Sequence, residues 1–122
     1  LEGRPIEVWG GDQLRDFNDV DDVVDAMLIA AENRDLPATP FNLGSSEVIR
    51  LADLAQLMIR LHGSGELQIM PYPEERKKID IGDYYSSYTR FAGATGWQPR
   101  RSLSQSLERT LAYYDRFLAT YI

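Results

Sequence analysis

Two basic stations stand out on an otherwise acidic chain. Arg15 sits in Arg15-Asp16-Phe17, just ahead of a run of acids at Asp19, Asp21, Asp22 and Asp25, and Arg76-Lys77-Lys78 lies between Tyr72 and Tyr84. A guanidinium held beside a helix N-terminus, where backbone N–H groups lack partners, has the donors and the field to take up a phosphate or carboxylate. The same arginine also fits an ordinary strand-end ion pair with Asp16, and exposed pairs are common and weak. The basic triplet either clamps a diphosphate or forms a solvated loop. Tyr84, Tyr85 and Tyr88 either stack on a base or pack as core, and core is the simpler reading. Trp97 is read as packing.

Other chemistries are excluded more firmly. The chain has 122 residues, no Cys and one His. Thiol catalysis, disulfides and Cys-based zinc sites are therefore out, and a zinc site would need mostly carboxylate ligands. Tested as a calcium loop starting at Asp16, the acidic run fails, because Val20 breaks the ligand series and Asp21 stands where the loop needs Gly. Asp residues at a helix start, complementing the macrodipole and capping free N–H groups, explain the run instead. His62 lies at a helix C-terminus with no paired carboxylate or Ser pattern, so no catalytic role is assigned to it. No GxGxxG, GxxGxxG, GxSxG or GxxxxGK[ST] occurs, and no Tyr is followed four residues later by Lys. Catalytic, cofactor-binding and metal residues are thus expected to be absent. The net charge of −6 argues against a nonspecific nucleic-acid or membrane-surface binder.

Hydrophobic spacing supplies the elements that must position these residues. Val20, Val23, Val24, Met27, Leu28 and Ala31 follow i, i+3, i+4, i+7 spacing, which predicts a helix from about Val20 to Arg34 with that stripe as its buried face. Leu51, Leu54, Ala55, Met58 and Leu61 predict a second helix over 51–62, stopped by Gly63 and Gly65. A third opens at Ser102, where Gln105 completes a capping-box pattern, with Leu103, Leu107, Leu111, Tyr114, Leu118 and Tyr121 on one face. A shorter helix is expected from about Arg90. Short strands are predicted at 5–8, 14–18, 41–43, 67–70 and 79–81, and Glu74 to Lys78 is read as a charged loop. The fold class is α/β, one domain over 1–122, with about three helices and several very short strands. The opening Leu1-Glu2-Gly3-Arg4-Pro5 has neither a basic n-region nor an apolar one, and no initiator Met. The chain is therefore expected to begin inside a longer reading frame. No apolar run reaches membrane-span length, and the absence of Cys fits a reducing cytoplasm.

Strands of three or four residues do not form an independent sheet, yet the apolar stripes are strong. Part of the fold is therefore expected to lie outside this chain, or to be replaced by a second copy.

Several motifs, in order, carry a resemblance. Pro5-Ile6-x-Val8, Gln13-x-Arg15-Asp16-Phe17, Val20-Asp21-Asp22-Val23 and Phe41-Asn42-Leu43-Gly44 are followed by Pro71-Tyr72-Pro73, Ile81-Gly82-Asp83 and Gly96-Trp97-x-Pro99. With the terminal Ser102-Leu103…Leu107 helix, this order resembles extended short-chain dehydrogenases/reductases. More narrowly, it resembles the C-terminal part of NAD-dependent nucleotide-sugar epimerases and dehydratases of the UDP-glucose 4-epimerase type. The resemblance implies a substrate-binding portion, inert alone, of an enzyme whose other half is a Rossmann unit carrying NAD and the catalytic Tyr and Lys. It implies nucleotide-diphosphate-sugar contacts from Arg15, with Phe17 in the same motif, and from a second basic residue ahead of Gly82-Asp83. Asp80 occupies the position where relatives often have that second Arg, so Arg76, Lys77 or Lys78 would supply the charge. Asp19 likewise replaces an aromatic or His. The partners implied are the nucleotide sugar, the missing Rossmann half and further copies of the chain. The resemblance also implies that the chain crosses into the Rossmann half around Val20 to Gly44, so the chain alone is expected to expose apolar surface there or to exchange elements with another copy. No nucleic acid or membrane is implied. The rival reading is a self-standing, non-enzymatic binding or dimerisation module.

Overall fold

The computed structural model describes residues 3–121. Its elements are β1 (Ile6–Trp9), β2 (Leu14–Asp16), α1 (Val20–Glu32), β3 (Val48–Arg50), α2 (Leu51–His62), β4 (Leu67–Met70), α3 (Glu74–Lys77), α4 (Thr89–Thr95) and α5 (Leu103–Phe117), closed by a 3-10 turn at Leu118–Thr120. The architecture is α/β, with β1 and β4 paired in parallel from Ile6↔Leu67 and β2 and β3 antiparallel from Leu14↔Arg50. Two two-stranded ribbons replace a sheet. α2 packs on β1 and β4 and, on another side, against α5.

The three long helices end where their sequences say they should. Asp19 caps α1 by accepting from the Asp21 N–H at 2.9 Å. Gly63 closes α2 at φ +82°, a backbone state that costs glycine little. Ser102 and Gln105 form the reciprocal capping box that opens α5. α3 is a single helical turn where a loop is expected, because Pro73 presets the first turn and offers its carbonyl to the N–H groups of Arg76 and Lys77.

Two of the expected strands do not form. Phe41 to Leu43 is irregular, since no neighbouring strand offers it a ladder; Phe41 and Leu43 pack instead on a core of Ala26, Phe91 and Trp97. Phe91 meets Phe41 and Trp97 edge-on at 5.6 and 5.7 Å, and Tyr88 meets Trp97 at 5.7 Å. Ile79 to Ile81 is also irregular, with the Ile79 N–H closing a turn onto the Arg76 carbonyl and both isoleucine side chains exposed. Of the tyrosine cluster, Tyr88 is core as expected, but Tyr84 and Tyr85 are exposed.

α1 departs from a plain reading of its periodicity and agrees with the exposed apolar surface that the resemblance implies. The stripe read as its buried face is open: Val20 is 68% exposed, Val24 45%, Met27 63% and Leu28 56%. The buried face is instead Asp22 and Ala26, with Ile29 and Ala30 against the aromatic core. The reason is polar. Asp22 accepts from the Arg100 and Arg101 N–H groups at 3.0 and 3.1 Å and from Arg101 Nη1 at 2.6 Å, while the Trp97 indole N–H donates to its carbonyl at 3.1 Å. These bonds turn α1 toward the loop before α5 and leave its apolar stripe outward.

Candidate functional site

Arg15 is central to its short strand and is held from three sides. Its Nη1 donates to the Leu14 carbonyl at 2.8 Å and to the Gly82 carbonyl, and its Nη2 faces Asp80 Oδ1 at 3.5 Å. The partner is therefore Asp80, not the adjacent Asp16. Asp16 points away, its Oδ2 accepting from the Ser45 and Ser86 N–H groups at 3.3 and 3.1 Å. That clamp requires Gly44, because a Cβ there would run into the Ser86 carbonyl.

A strap holds the Arg15 surroundings together. The Leu14 N–H donates to Asp83 Oδ1 at 2.9 Å, the Tyr84 N–H donates to the Leu14 carbonyl at 3.0 Å, and Arg15 bridges Tyr84 in parallel. Gly82, at φ +67°, makes the turn that delivers its own carbonyl to Arg15. The Gly82-Asp83 pair thus fixes β2 and the arginine to the segment that follows α3.

Arg15 and Asp80 lie on the wall of a cavity of about 440 Å³, with Trp9, Gln13 and Tyr72, backed by the apolar face of α2. Trp9 and Tyr72 meet edge-on, 6.4 Å between centroids. Gln13 ties the rim, accepting from the Gly11 N–H at 3.0 Å and donating to the Trp9 carbonyl at 3.3 Å. Glu7 adds a second carboxylate to the lining. The cavity thus offers one guanidinium, two aromatic rings, a carboxamide and an apolar floor. Such a set suits a ligand with an anionic part and a flat or apolar part.

The other expected site residues are placed differently. Phe17 lines a second cavity of about 650 Å³, with Asn18, Leu107 and Tyr113; Leu54 and Met58 of α2 line both cavities and partition them. Arg76 and Lys77 are exposed on α3 and line neither cavity. The structure brings Arg15 together with Trp9, Tyr72 and Asp80. Sequence reasoning did not single out Trp9, though an aromatic at the outward position of a strand before Gly10-Gly11 is a signal for it. Among the described residues no group of His, Asp or Glu is arranged to hold a metal ion, and no helix is long and apolar enough to cross a membrane.

Asp19, read from the sequence as one of the helix-start acids, is structural. Burial would raise its pKa. The hydrogen bond from the Ser106 hydroxyl at 2.6 Å, the Asp21 N–H and the charges of Arg109 and Arg101 outweigh that and hold it below the usual carboxylate value. Arg109 also pairs with Asp21 at 2.6 Å, and Arg101 reaches Asp19, Asp21 and Asp22. The acidic run fastens α5 to α1.

The NAD dependent epimerase/dehydratase family profile matches residues 1–44. Over 94% of its length the chain is 28% identical to GDP-6-deoxy-D-mannose reductase of Pseudomonas aeruginosa, spanning 37% of that protein. It is 30% identical to UDP-glucuronic acid decarboxylase 1 of Danio rerio over 97% of its length, spanning 27% of that enzyme. Among solved structures it is similar to UDP-glucose 4-epimerase of Thermotoga maritima with UDP-glucose, with a TM-score of 0.83 and 29% identity over 95% of this chain and 36% of that one. The chain is thus similar to NAD-dependent epimerases/dehydratases. It spans about a third of the length of the relatives it matches.

Proposed function

We propose that this chain is the substrate-side portion of an NAD-dependent nucleotide-sugar epimerase or dehydratase, inert without the dinucleotide-binding part. The observation that carries the reading is the Arg15 guanidinium on the wall of a cavity that also presents Trp9 and Tyr72. Arg15 offers the diphosphate a fixed fork of donors, and the aromatic rings offer faces for the base or sugar. Arg76 and Lys77, a few residues before Asp80, add positive potential for an arriving anion. Phe17 completes the neighbouring wall across α2.

NAD in such an enzyme accepts and returns a hydride at the sugar. What this chain contributes is positioning: a diphosphate anchored at Arg15 fixes the sugar's distance from the reacting centre, so binding energy is spent on orientation. The outward stripe of α1 fits the same reading. Four large apolar side chains open on one helix face form a surface that soluble chains normally cover, and about two thirds of the relatives' length has no counterpart in this chain. We assign the stripe to the seam with the dinucleotide-binding part. The choice between epimerisation and dehydration rests with groups outside the chain. The cytoplasm is the proposed compartment.

The test is a titration of the reassembled protein with UDP, GDP and dTDP, followed through backbone amide shifts. The reading expects the amides of Arg15 and its cavity neighbours to move with at least one nucleotide, and it expects those of Arg76 and Lys77 to respond as well. Nucleotide binding that leaves all of them unmoved rules it out.

A further inference from the structure

Arginine carries five N–H donors, and the structure shows where three of those on Arg15 go. Both Nη1 donors are taken by the Leu14 and Gly82 carbonyls, and one from Nη2 faces Asp80. The second Nη2 donor and the Nε donor remain without a partner among the described residues. Nε and Nη2 together form one edge of the guanidinium, the side-on fork that takes an oxyanion through two parallel bonds. Asp80 engages this edge with one oxygen at 3.5 Å, an ion pair rather than a tight bidentate bond. Both side chains are about one-fifth exposed, 21% and 20%, so the pair is screened less than a surface pair.

The backbone beyond Asp80 is held in place. It lies between α3 and the strap, where the Asp83 carboxylate and the Tyr84 N–H fasten the backbone to Leu14. An anion reaching the open fork of Arg15 therefore meets a carboxylate that must rotate aside or stay and repel it. Glu7 on the same wall makes the net charge of the lining negative. An anion entering this cavity meets a net negative field.

We propose that Asp80 is a built-in competitor for the anionic part of the ligand, holding the Arg15 guanidinium until a phosphate oxygen displaces it, and so sets the affinity and anion selectivity of this cavity. The inference rests on the reading of Arg15 as the phosphate contact. It makes Asp80 a specificity determinant acting through Arg15 and assigns it no part in the chemistry.

The experiment is calorimetric titration of the full-length protein with UDP, inorganic pyrophosphate and uridine, on the parent and on Asp80→Asn, Asp80→Ser and Arg15→Ala. Asp80→Asn keeps the side chain's size and one acceptor while removing its charge. It is expected to tighten UDP and pyrophosphate about five- to tenfold, the scale of one screened charge, and to leave uridine unchanged. Asp80→Ser, smaller and neutral, is expected to do the same, and it carries the test if the Asn variant misfolds. Arg15→Ala is expected to weaken UDP more than tenfold. If Arg15→Ala weakens UDP but neither Asp80 variant tightens it, the competitor role is overturned and the Arg15 reading stands. If Arg15→Ala leaves UDP unaffected, the Arg15 reading itself fails, and this proposal with it. Tightening of uridine along with UDP also overturns it, since a neutral ligand does not compete for a guanidinium.

Discussion

Replacing Met27 and Leu28 together by Asp tests the seam, because both residues point outward while the α1 face that holds the core stays intact. They are 63% and 56% exposed, so slightly more than one side-chain equivalent of apolar surface remains open between them. Full burial of such a side chain stabilises by about 1.5–3 kcal/mol, so covering the pair is worth about 2–3.5 kcal/mol. Placing carboxylates in a covered seam adds several kcal/mol more unless they find partners. The full-length protein is therefore expected to lose at least about 4 kcal/mol, read as a lower urea midpoint and as faster hydrogen exchange across Val20–Glu32. In the isolated chain the same pair should cost about 1 kcal/mol or less, as two exposed substitutions do. Asp lowers helix propensity slightly, and the isolated chain measures that contribution directly. Equal, small effects in both settings would refute the reasoning, because they would mean the stripe stays in water.

The remaining predictions concern the clamps that shape the site. Asp22→Ala removes three acceptor bonds and leaves the Arg100 and Arg101 N–H groups without their partner, which should cost about 3–5 kcal/mol in urea unfolding. Gly44→Ala should cost about 1–3 kcal/mol and open the Asp16 clamp, seen as faster exchange of the Ser45 and Ser86 amides. Because the folded pKa of Asp19 is depressed, its contribution is fully present above the unfolded carboxylate value of 3.8 and is lost as pH falls through the lower folded value. Stability measured by urea between pH 5 and pH 2 should therefore fall less steeply in Asp19→Asn than in the parent. Ser106→Ala should narrow that pH window by letting the Asp19 pKa rise, at a cost of about 1 kcal/mol near neutrality.

Local signals proved sufficient for the long helices and insufficient for the facing of α1. Asp19, Gly63 and the Ser102–Gln105 pair mark helix ends because capping is a contact between residues a few positions apart. Apolar periodicity alone assigns the α1 stripe to a buried face, and in this chain that side is exposed, as the resemblance implied. What turns the helix is Asp22 reaching residues nearly eighty positions later, a long-range polar contact that no periodicity records. Strands at 41–43 and 79–81 were expected from composition alone, but a strand exists only where another offers a ladder. The missed strand β3 has its ladder from β2. At the site, the basic type of Arg15 and its place before α1 were readable, whereas its pairing with Asp80 depends on a strap from the far side of the fold. Asp80 drew notice only as a departure from the pattern of relatives. Trp9 and Tyr72 come together across the β1–β4 ribbon, a parallel pairing between segments some sixty residues apart.

The most direct test of the central claim is a crystal structure of the full-length protein with a bound nucleotide sugar. The account predicts a diphosphate oxygen within hydrogen-bond distance of Arg15 Nη2 or Nε, the Asp80 carboxylate rotated away, and the α1 stripe covered by the dinucleotide-binding part. A nucleotide sugar ordered elsewhere, with the Arg15–Asp80 pair intact and Val24, Met27 and Leu28 still facing solvent, contradicts it.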